Sequence, residues 1–198
     1  MNEFKVRAYK GPEAKNHIDS IADLRIRLFR DFPYLYDGNM EYEKDYLERY
    51  FQSNNAKVFL LFYKKNIIGA TTCLPLNEEA EMIRKPFEDA GLMVEEYFYF
   101  GESIIERIYR GKGLGKLFFK YREQEALSHN NIKYSCFCSI KRENGHPKTP
   151  GSYRPLDGFW ASMEYKYQPN LYTTMYWKET ETSKEVPHRM EFWIKQLR

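Results

Sequence analysis

The spacing of apolar and polar residues predicts a strand followed by two helices at the start of the chain. Residues 4–9 alternate as a short strand. Residues 17–30 carry apolar side chains three and four positions apart, which predicts a helix with Asp19 or Ser20 as its N-cap. Residues 41–51 repeat the helical spacing, with tyrosines along roughly one side. This second helix is expected to line a groove or the core.

The middle of the chain reads as a hairpin and then a polar helix. Residues 58–63 and 67–74 are rich in β-forming side chains, and residues 64–66 between them predict a turn, so the two runs should pair antiparallel. Residues 78–90 have a polar helical pattern that Gly91 ends.

The second half predicts a parallel crossover. Residues 97–109 read as a long strand, residues 114–129 as an amphipathic helix and residues 132–140 as the next strand. A strand, helix and strand of this length form a right-handed crossover between parallel strands. A loop over residues 141–158 precedes a short helix at 159–163.

Two closing strands complete the pattern, at residues 171–178 and 190–196. The last strand could close the sheet or pair across a dimer, so a monomer and a homodimer are both open. The predicted fold is mixed α/β (α+β), with a mostly antiparallel central sheet, one parallel crossover and flanking helices.

Composition narrows the class of protein. With 198 residues and 42% hydrophobic side chains, the chain is expected to form a single domain over residues 1–198. A net charge of +3 gives little reason to expect a nucleic acid partner. The N-terminal residues have no apolar signal region, and nowhere do 18 apolar residues follow one another. We therefore expect a cytoplasmic protein with no membrane partner.

The cysteines point to neither disulfides nor a metal. Cys73, Cys136 and Cys138 are too few and odd in number for a disulfide framework. The four histidines show no paired metal spacing, so no metal is expected. Alternation in residues 132–140 would instead bury the thiols of Cys136 and Cys138 in a strand.

The strongest chemical signal is a glycine-rich turn between the predicted strand and helix of the crossover. It consists of Arg110, Gly111, Lys112, Gly113, Leu114, Gly115 and Lys116. Glycines let a ligand approach the backbone, and the first amides of a helix lack intrahelical partners and lie at the positive end of its dipole. The segment is therefore expected to bind phosphate groups.

Two common phosphate loops do not fit this turn. A P-loop needs a glycine six residues before the lysine that precedes Ser or Thr, but Arg110 lies six before Lys116 and Leu117 follows it. A dinucleotide fingerprint that begins at Gly111 needs a third glycine where Lys116 stands. A nucleotide-binding module is thus disfavoured.

Arg110, Gly113 and Gly115 match the pyrophosphate motif of the GNAT superfamily of acyl-CoA-dependent N-acyltransferases, in which Arg or Gln, two residues, Gly, one residue and Gly or Ala follow in turn. The order of predicted elements resembles that family over nearly the whole chain. The chain looks especially like an uncharacterised bacterial subgroup, through Gly101-Glu102-Ser103 and the segment of residues 153–160.

The resemblance implies acetyl-CoA as co-substrate and the seven residues 110–116 as its phosphate site. In the family, the strands of the crossover splay apart and admit the pantetheine arm, which pairs with exposed backbone of the first of these strands. By resemblance, Ile104 and Ile105 would provide that backbone here.

Transfer of an acyl group to an amine needs the neutral amine. An alkylamine of pKa about 10.4 requires about 4.6 kcal/mol to lose its proton at pH 7, so a base or a water relay is expected. Glu102 lies on the strand before the motif and is the candidate base, although a salt-bridged strand carboxylate is an equally ordinary role for it. The amide of Ile105 is expected to stabilise the oxyanion.

The general acid does not follow the family pattern. Many members have a tyrosine in the short helix after the crossover, but Trp160 stands at the matching position. An indole N–H has no useful acidity. Tyr153 and His146 in the preceding loop are the alternative acids, although packing or capping of that loop is the more ordinary role for each. A thiolate of low basicity can also leave without an acid.

The resemblance also implies that the acceptor, expected to be the amine of a small molecule, binds between the first two helices and the last strands. An aromatic and acidic set there would suit a cation. An ordinary solvated helix face with tyrosines against the core explains the same residues more simply. The set comprises Tyr34, Tyr36, Tyr42, Tyr46, Asp37, Glu41, Glu43 and Asp45.

The sequence therefore predicts an acetyl-CoA-dependent N-acetyltransferase that acts by direct transfer through a tetrahedral intermediate. The alternative is a catalytically weak or inactive acyl-CoA-binding sensor of the same fold, for which Trp160 is the motivating residue.

Overall fold

A computed structural model describes residues 3–143 and 145–198, so that Asn144, within the predicted loop, lies outside the described residues. Over this part of the chain there are seven strands and six helices. The strands are β1 (Phe4–Lys10), β2 (Lys57–Tyr63), β3 (Asn66–Pro75), β4 (Tyr97–Ile105), β5 (Tyr134–Ile140), β6 (Lys166–Lys178) and β7 (Glu185–Gln196). The helices are α1 (Gly11–Ala14), α2 (Ile18–Phe29), α3 (Met40–Gln52), α4 (Glu81–Asp89), α5 (Leu114–Ser128) and α6 (Asp157–Ser162).

The strands form one mixed sheet in the order β1-β2-β3-β4-β5-β7-β6. Among the described strands only the pair β4 and β5 is parallel, and α5 connects these two strands. The remaining neighbours are antiparallel. The predicted mixed fold, with its single parallel crossover, is confirmed.

The helices cover both faces of the sheet. Buried side chains of α2, α3 and α4, among them Leu24, Leu47 and Phe87, belong to the largest apolar cluster on one face. Phe118 and Phe119 of α5 lie in two further clusters on the other face, where α6 also packs. Burial of aliphatic and aromatic side chains contributes about 1.5–3 kcal/mol each, so these two layers hold the sheet rigid beneath the site.

The predicted strand over residues 97–109 is too long. Strand β4 ends at Ile105, and Arg107–Tyr109 form one 3-10 turn instead. The amide of Glu106 makes the last bond to β3, by donating to the Ile68 carbonyl at 2.9 Å, and the amide of Tyr109 then bonds back to Glu106. Apolar residues recur at Ile108 and Tyr109 after two charged ones, so the hydrophobic pattern alone could not locate the end of the strand.

The predicted cap of the second element is also wrong. Helix α2 begins at Ile18, so Asp19 and Ser20 lie inside its first turn, and no side chain of the described residues caps it. Helix α1 and a 3-10 turn at Lys15–His17 lead directly into α2. These preceding turns stand where a capping side chain was expected.

The closing strands are longer than predicted. Strand β6 begins at Lys166 rather than at residue 171, and its pairing with β7 is irregular between Gln168 and Tyr172. Strand β7 begins at Glu185 and lies between β5 and β6, so both of its edges are paired within the chain. It therefore closes the sheet within the chain, which is one of the two predicted alternatives.

Candidate active site

Strands β4 and β5 separate soon after they begin. They pair only at Tyr97 with Tyr134, Phe98 with Ser135 and Tyr99 with Cys136. Beyond these pairs β4 continues along β3, while β5 continues along β7. We call the gap between residues 100–105 of β4 and 137–140 of β5 the fork.

A β-bulge in β4 sets which side chains face each side of the sheet at the fork. Thr71 pairs with Ser103 and Cys73 with Phe100, so three steps on β4 (103 − 100 = 3) oppose two on β3 (73 − 71 = 2). The extra residue inverts the alternation. Phe100 therefore faces α5, whereas Glu102 faces α2 and α3.

Gly101 lies at the bulge, and a larger residue would not fit there. A Cβ at this position would come within 2.4 Å of both the Tyr50 hydroxyl and the Thr72 hydroxyl. This close approach of α3 and β3 to the bulge brings their polar groups next to Glu102.

The register also fixes which peptide groups of β4 face the fork. The amide of Glu106 bonds to Ile68 of β3, and peptide groups alternate in direction along a strand. The amides of Ser103 and Ile105 therefore point into the fork, while the amide of Ile104 points to β3. Of the two isoleucines expected to offer backbone to a ligand, Ile105 has the required direction and Ile104 does not.

The glycine loop leads directly into α5. Gly111 and Gly113 have φ of 76° and 78°, in the left-handed region that glycine adopts without a steric penalty. Gly113 is the N-cap, and the first backbone bond of the helix runs from the Leu117 amide to its carbonyl. Among the described residues, no protein group accepts a hydrogen bond from the amides of residues 111–116. Six donors at the positive end of α5 thus remain available to an anion.

Positive side chains surround these amides. Lys112 and Lys116 are exposed. Arg110 turns back, and its Nε donates to the Ile105 carbonyl at 2.8 Å, which ties the loop to the end of β4. Burial, and then the nearby charge of Arg107, lower the pKa of Arg110. The residues present fit a pyrophosphate, because amide donors and cations converge beside the fork.

Glu102 is a buried and firmly held carboxylate. Its Oε1 accepts from Arg25 Nη1 at 2.5 Å, and its Oε2 accepts from the Thr72 hydroxyl at 2.5 Å. Arg25 also pairs with Glu43 of α3, and its guanidinium lies 4.2 Å from the ring centroid of Tyr46. All three charged residues are at most 8% exposed. Glu102 is therefore oriented by its partners and does not rotate freely.

We predict that Arg25→Met destabilises the protein by about 3–5 kcal/mol, because it leaves the buried Glu43 and Glu102 without their counter-charge. Urea or thermal unfolding measures this loss. Arg27→Met is the matched control, since Arg27 lies on the same helix but is half exposed in its ion pairs with Asp23 and Glu106. The control should change stability by less than about 1 kcal/mol. Equal losses in the two variants would contradict the prediction.

The two alternative acids lie beside the segment between α2 and α3. Tyr153 makes an edge-on contact with Phe32, with ring centroids 4.7 Å apart, and His146 lies 5.6 Å from the same ring. His146 Nδ1 accepts from the Lys148 amide at 3.2 Å, so that nitrogen has a structural partner. Burial, and then Asp157, raise the pKa of Tyr153, so its hydroxyl stays protonated at neutral pH.

Trp160 belongs to an aromatic cluster. It packs against Phe137 and Trp193, each with ring centroids 5.2 Å away. The nearby Tyr165 is 2% exposed, and its hydroxyl is engaged by Ser135 and Glu123. Neither side chain offers a free acidic proton to the fork.

Arg142 holds the segment between α2 and α3, a role that was not predicted from the sequence. It donates to the carbonyls of Pro33 and Tyr34 at 2.6 and 3.0 Å and pairs with Glu179 at 2.7 Å. This clamp fixes the segment that carries Phe32 against the end of β5. Its sequence position, just after an apolar strand, gave no signal of such a role.

Arg25 and Thr72, which hold Glu102, were also missed. Arg25 occupies a core-facing position of α2, one turn after Ile21. A charged residue on the apolar face of a helix indicates a buried ion pair, and this pattern could have identified Arg25 from the sequence. Tyr99 and Cys138 form a further contact that was not predicted, with 3.2 Å between the hydroxyl and the sulfur across the base of the fork.

The predicted acceptor residues divide into buried and exposed groups. Glu43 is fully buried, and Tyr46 lies over Arg25. Tyr36 and Tyr42 have ring centroids 6.3 Å apart, and Tyr34 packs on Trp177. Asp37 pairs with Arg30 and Lys178. Glu41 and Asp45 are exposed.

Solved structures with this architecture include proteins named as acetyltransferases. An acetyltransferase of the GNAT family from Streptococcus pneumoniae is 14% identical, with a TM-score of 0.58, and the match covers 98% of this chain and 99% of that one. YncA from Salmonella typhimurium, solved with its cofactor acetyl-CoA, is 11% identical, with a TM-score of 0.61 and coverage of 100% and 95%. NAA60 from Arabidopsis thaliana, in complex with a bisubstrate analogue, is 10% identical, with a TM-score of 0.59 and coverage of 98% and 99%.

These similarities identify the fold. No protein-family model and no curated protein sequence matches the chain. The protein has the GNAT acetyltransferase fold, and the resemblance drawn from its motif is confirmed at that level.

Two further properties concern the described residues only. Within residues 3–143 and 145–198 no helix has the length and apolar character needed to cross a membrane. The same residues contain no group of three or more His, Cys, Asp or Glu side chains placed to hold a metal ion.

Proposed function

We propose that this protein is an acetyl-CoA-dependent N-acetyltransferase that acts on the amine of a small molecule. The observation that supports this most strongly is the adjacency of two features. The available amides of residues 111–116 suit a pyrophosphate, and the fork beside them suits an extended pantetheine arm. The Arg110 contact with Ile105 joins the two features into one continuous site.

In this proposal the backbone of β4 binds and orients the thioester. The fork-facing amides of Ser103 and Ile105 pair with the pantetheine arm and with the oxyanion. An amide fixed in a strand needs no reorganisation as charge develops on the oxygen, which is the condition for effective electrostatic stabilisation. The side chains of Ile104 and Ile105 contribute packing only.

Glu102 is proposed to remove the proton from the attacking amine through a water molecule. Arg25 donates one hydrogen bond to Oε1 and Thr72 donates one to Oε2. Each oxygen has a second lone pair that can accept a hydrogen bond from a water molecule. The amine nitrogen forms a bond to the acetyl carbon, giving a tetrahedral intermediate. Collapse of this intermediate breaks the carbon–sulfur bond, and the thiolate takes a proton from Tyr153 or His146 or leaves without an acid.

The test is the acetyl-CoA-dependent release of free CoA thiol in the presence of a panel of small amines. We expect at least one amine to increase the release well above the rate of hydrolysis, with the acetylated amine as product. A matched reaction with the corresponding alcohol, in which a hydroxyl replaces the amino group of each amine, controls for transfer to oxygen.

The second candidate is an acyl-CoA-binding sensor without turnover. Trp160 in the place of the usual acid, and the engagement of both Glu102 oxygens, favour it. Tight binding of acetyl-CoA with no amine-dependent release of CoA would support the sensor and contradict the enzyme.

A further inference from the structure

A buried arginine lies on the α5 side of the fork. Arg122 is 1% exposed and belongs to the sheet-facing side of α5. Its Cζ atom lies 4.4 Å from the ring centroid of Phe100 and 4.6 Å from that of Phe119. Phe100 is the first residue of β4 in the fork. The Phe119 ring in turn contacts Phe137, the first residue of β5 there, with centroids 5.8 Å apart. The cation therefore lies one aromatic ring away from the point where the two strands separate.

The charge of Arg122 has no partner of its own. Its Nε and Nη2 are buried and have no hydrogen-bond partner within the described part of the chain. The two carboxylates whose charge acts on Arg122 are already engaged, because Glu123 accepts from Lys195 at 3.1 Å and Glu102 accepts from Arg25. Burial lowers the pKa of Arg122, but a guanidinium stays protonated in proteins.

Two further titratable side chains near Arg122, Tyr165 and Cys73, are neutral. Burial raises the pKa of the Tyr165 hydroxyl and of the Cys73 thiol well above their usual values, so both keep their protons at physiological pH. An unpaired buried charge is costly, and an unsatisfied polar group of this kind calls for a functional explanation. The α5 side of the fork thus holds one uncompensated positive charge.

The opposite face of β4 carries the reverse charge. Glu43, Arg25 and Glu102 form ion pairs in a row, in which two carboxylates share one guanidinium, so their formal charges sum to −1. The bulge in β4 directs Glu102 to this face and Phe100 to the face of Arg122. In acyl transfer the amine loses a proton while the sulfur gains an electron pair. The two sides of the strand therefore match the charges that develop during the reaction.

We propose that Arg122 stabilises the CoA thiolate as it leaves the tetrahedral intermediate. When the bond between the acetyl carbon and the sulfur breaks, its electron pair stays on the sulfur, and the positive charge of Arg122 favours this anion without giving up a proton. The amine proton goes to Glu102 through water, and the thiolate takes a proton from solvent after release. This assignment rests on the proposed function and adds to it the group that replaces the acid missing at Trp160.

The test needs binding alone, and it compares CoA with desulfo-CoA, which lacks the thiol, by calorimetry at pH 7 and pH 9, a range in which thiols titrate. If the protein favours the thiolate, bound CoA loses its proton more readily than free CoA, so the affinity for CoA rises with pH. Wild-type protein is expected to increase its preference for CoA over desulfo-CoA at least about threefold between the two pH values. The comparison with desulfo-CoA cancels the effects of protein groups that titrate in the same range.

Three variants assign the effect to Arg122. Arg122→Met removes the charge and should abolish the rise, whereas Arg122→Lys keeps a charge and should retain most of it. An apolar side chain in place of an unpaired buried charge should not lower stability, so Arg122→Met is expected to fold. Lys120→Met is the matched control, because it removes a charge from the exposed side of the same helix and should leave the rise unchanged.

A preference for CoA that does not change with pH in the wild-type protein overturns the proposal, and so does a rise that persists in Arg122→Met. The wild-type comparison is sufficient even if Arg122→Met fails to fold. A protein that binds neither CoA nor desulfo-CoA contradicts the proposed function as well, whereas binding without the pH-dependent preference leaves that function standing. A pH-dependent preference without amine-dependent release of CoA would contradict only the enzymatic function.

Discussion

Replacing Gly113 by Glu is expected to reduce the affinity for acetyl-CoA at least about 100-fold, equivalent to about 2.7 kcal/mol. Gly113 caps α5 with a φ of 78°, and its amide belongs to the proposed phosphate site. A carboxylate there would repel the pyrophosphate from the amides that should bind it. Calorimetric titration of the variant with acetyl-CoA measures the loss.

Gly91→Glu is the matched control for this variant. Gly91 also has a positive φ, of 71°, and open space around its Cα, but it ends α4 far from the loop in sequence. Both substitutions should therefore cost a similar 1–2 kcal/mol, roughly, in backbone strain. Only Gly113→Glu should lower the affinity for acetyl-CoA. If Gly91→Glu lowers the affinity equally, the phosphate site has been placed wrongly.

Glu102→Gln is expected to lower kcat about 10²- to 10⁴-fold, the usual contribution of a general base. The amide keeps the shape of the side chain and can still accept from Arg25 and donate to Thr72, so the fold should be retained. The KM for acetyl-CoA should change little, because Glu102 does not belong to the glycine loop. Steady-state kinetics with the best amine of the panel measures both constants.

Glu106→Gln provides the comparison for the loss of a carboxylate near the fork. Glu106 follows β4 directly, is partly exposed and pairs with Arg27 at 3.2 Å. Its replacement should change kcat less than about threefold, since surface ion pairs contribute little. A kcat for Glu102→Gln within the same range would mean that Glu102 is only the structural partner of Arg25.

Much of the fold follows from local patterns in the sequence. The parallel crossover was predictable because a strand, a glycine turn and an amphipathic helix follow one another without interruption before β5. The end of β4 was not, since apolar residues recur at Ile108 and Tyr109 after two charged ones. The chain nevertheless leaves β3 after the bond from the Glu106 amide. The start of β6 was missed because an irregularity near Pro169 interrupts the strand. Its pairing with β7 continues on the N-terminal side of this irregularity, at residues 166–168.

The candidate site was predictable to the extent that it lies within one segment of the chain. The glycine loop is contiguous, so its residues and the direction of their amides follow from the turn into α5. Glu102 was identified as a strand carboxylate, but its partners Arg25 and Thr72 come from distant segments. The bulge at Gly101 decides that these side chains meet, and no local pattern announces a register shift.

The most direct test of the central claim is a calorimetric titration of the unmodified protein with acetyl-CoA, compared with ATP and with NAD⁺. We predict a single site for acetyl-CoA with a dissociation constant in the micromolar range, about −8 kcal/mol, and at least tenfold weaker binding of the two nucleotides. The absence of acetyl-CoA binding at millimolar concentration, or a preference for ATP or NAD⁺, would contradict the account.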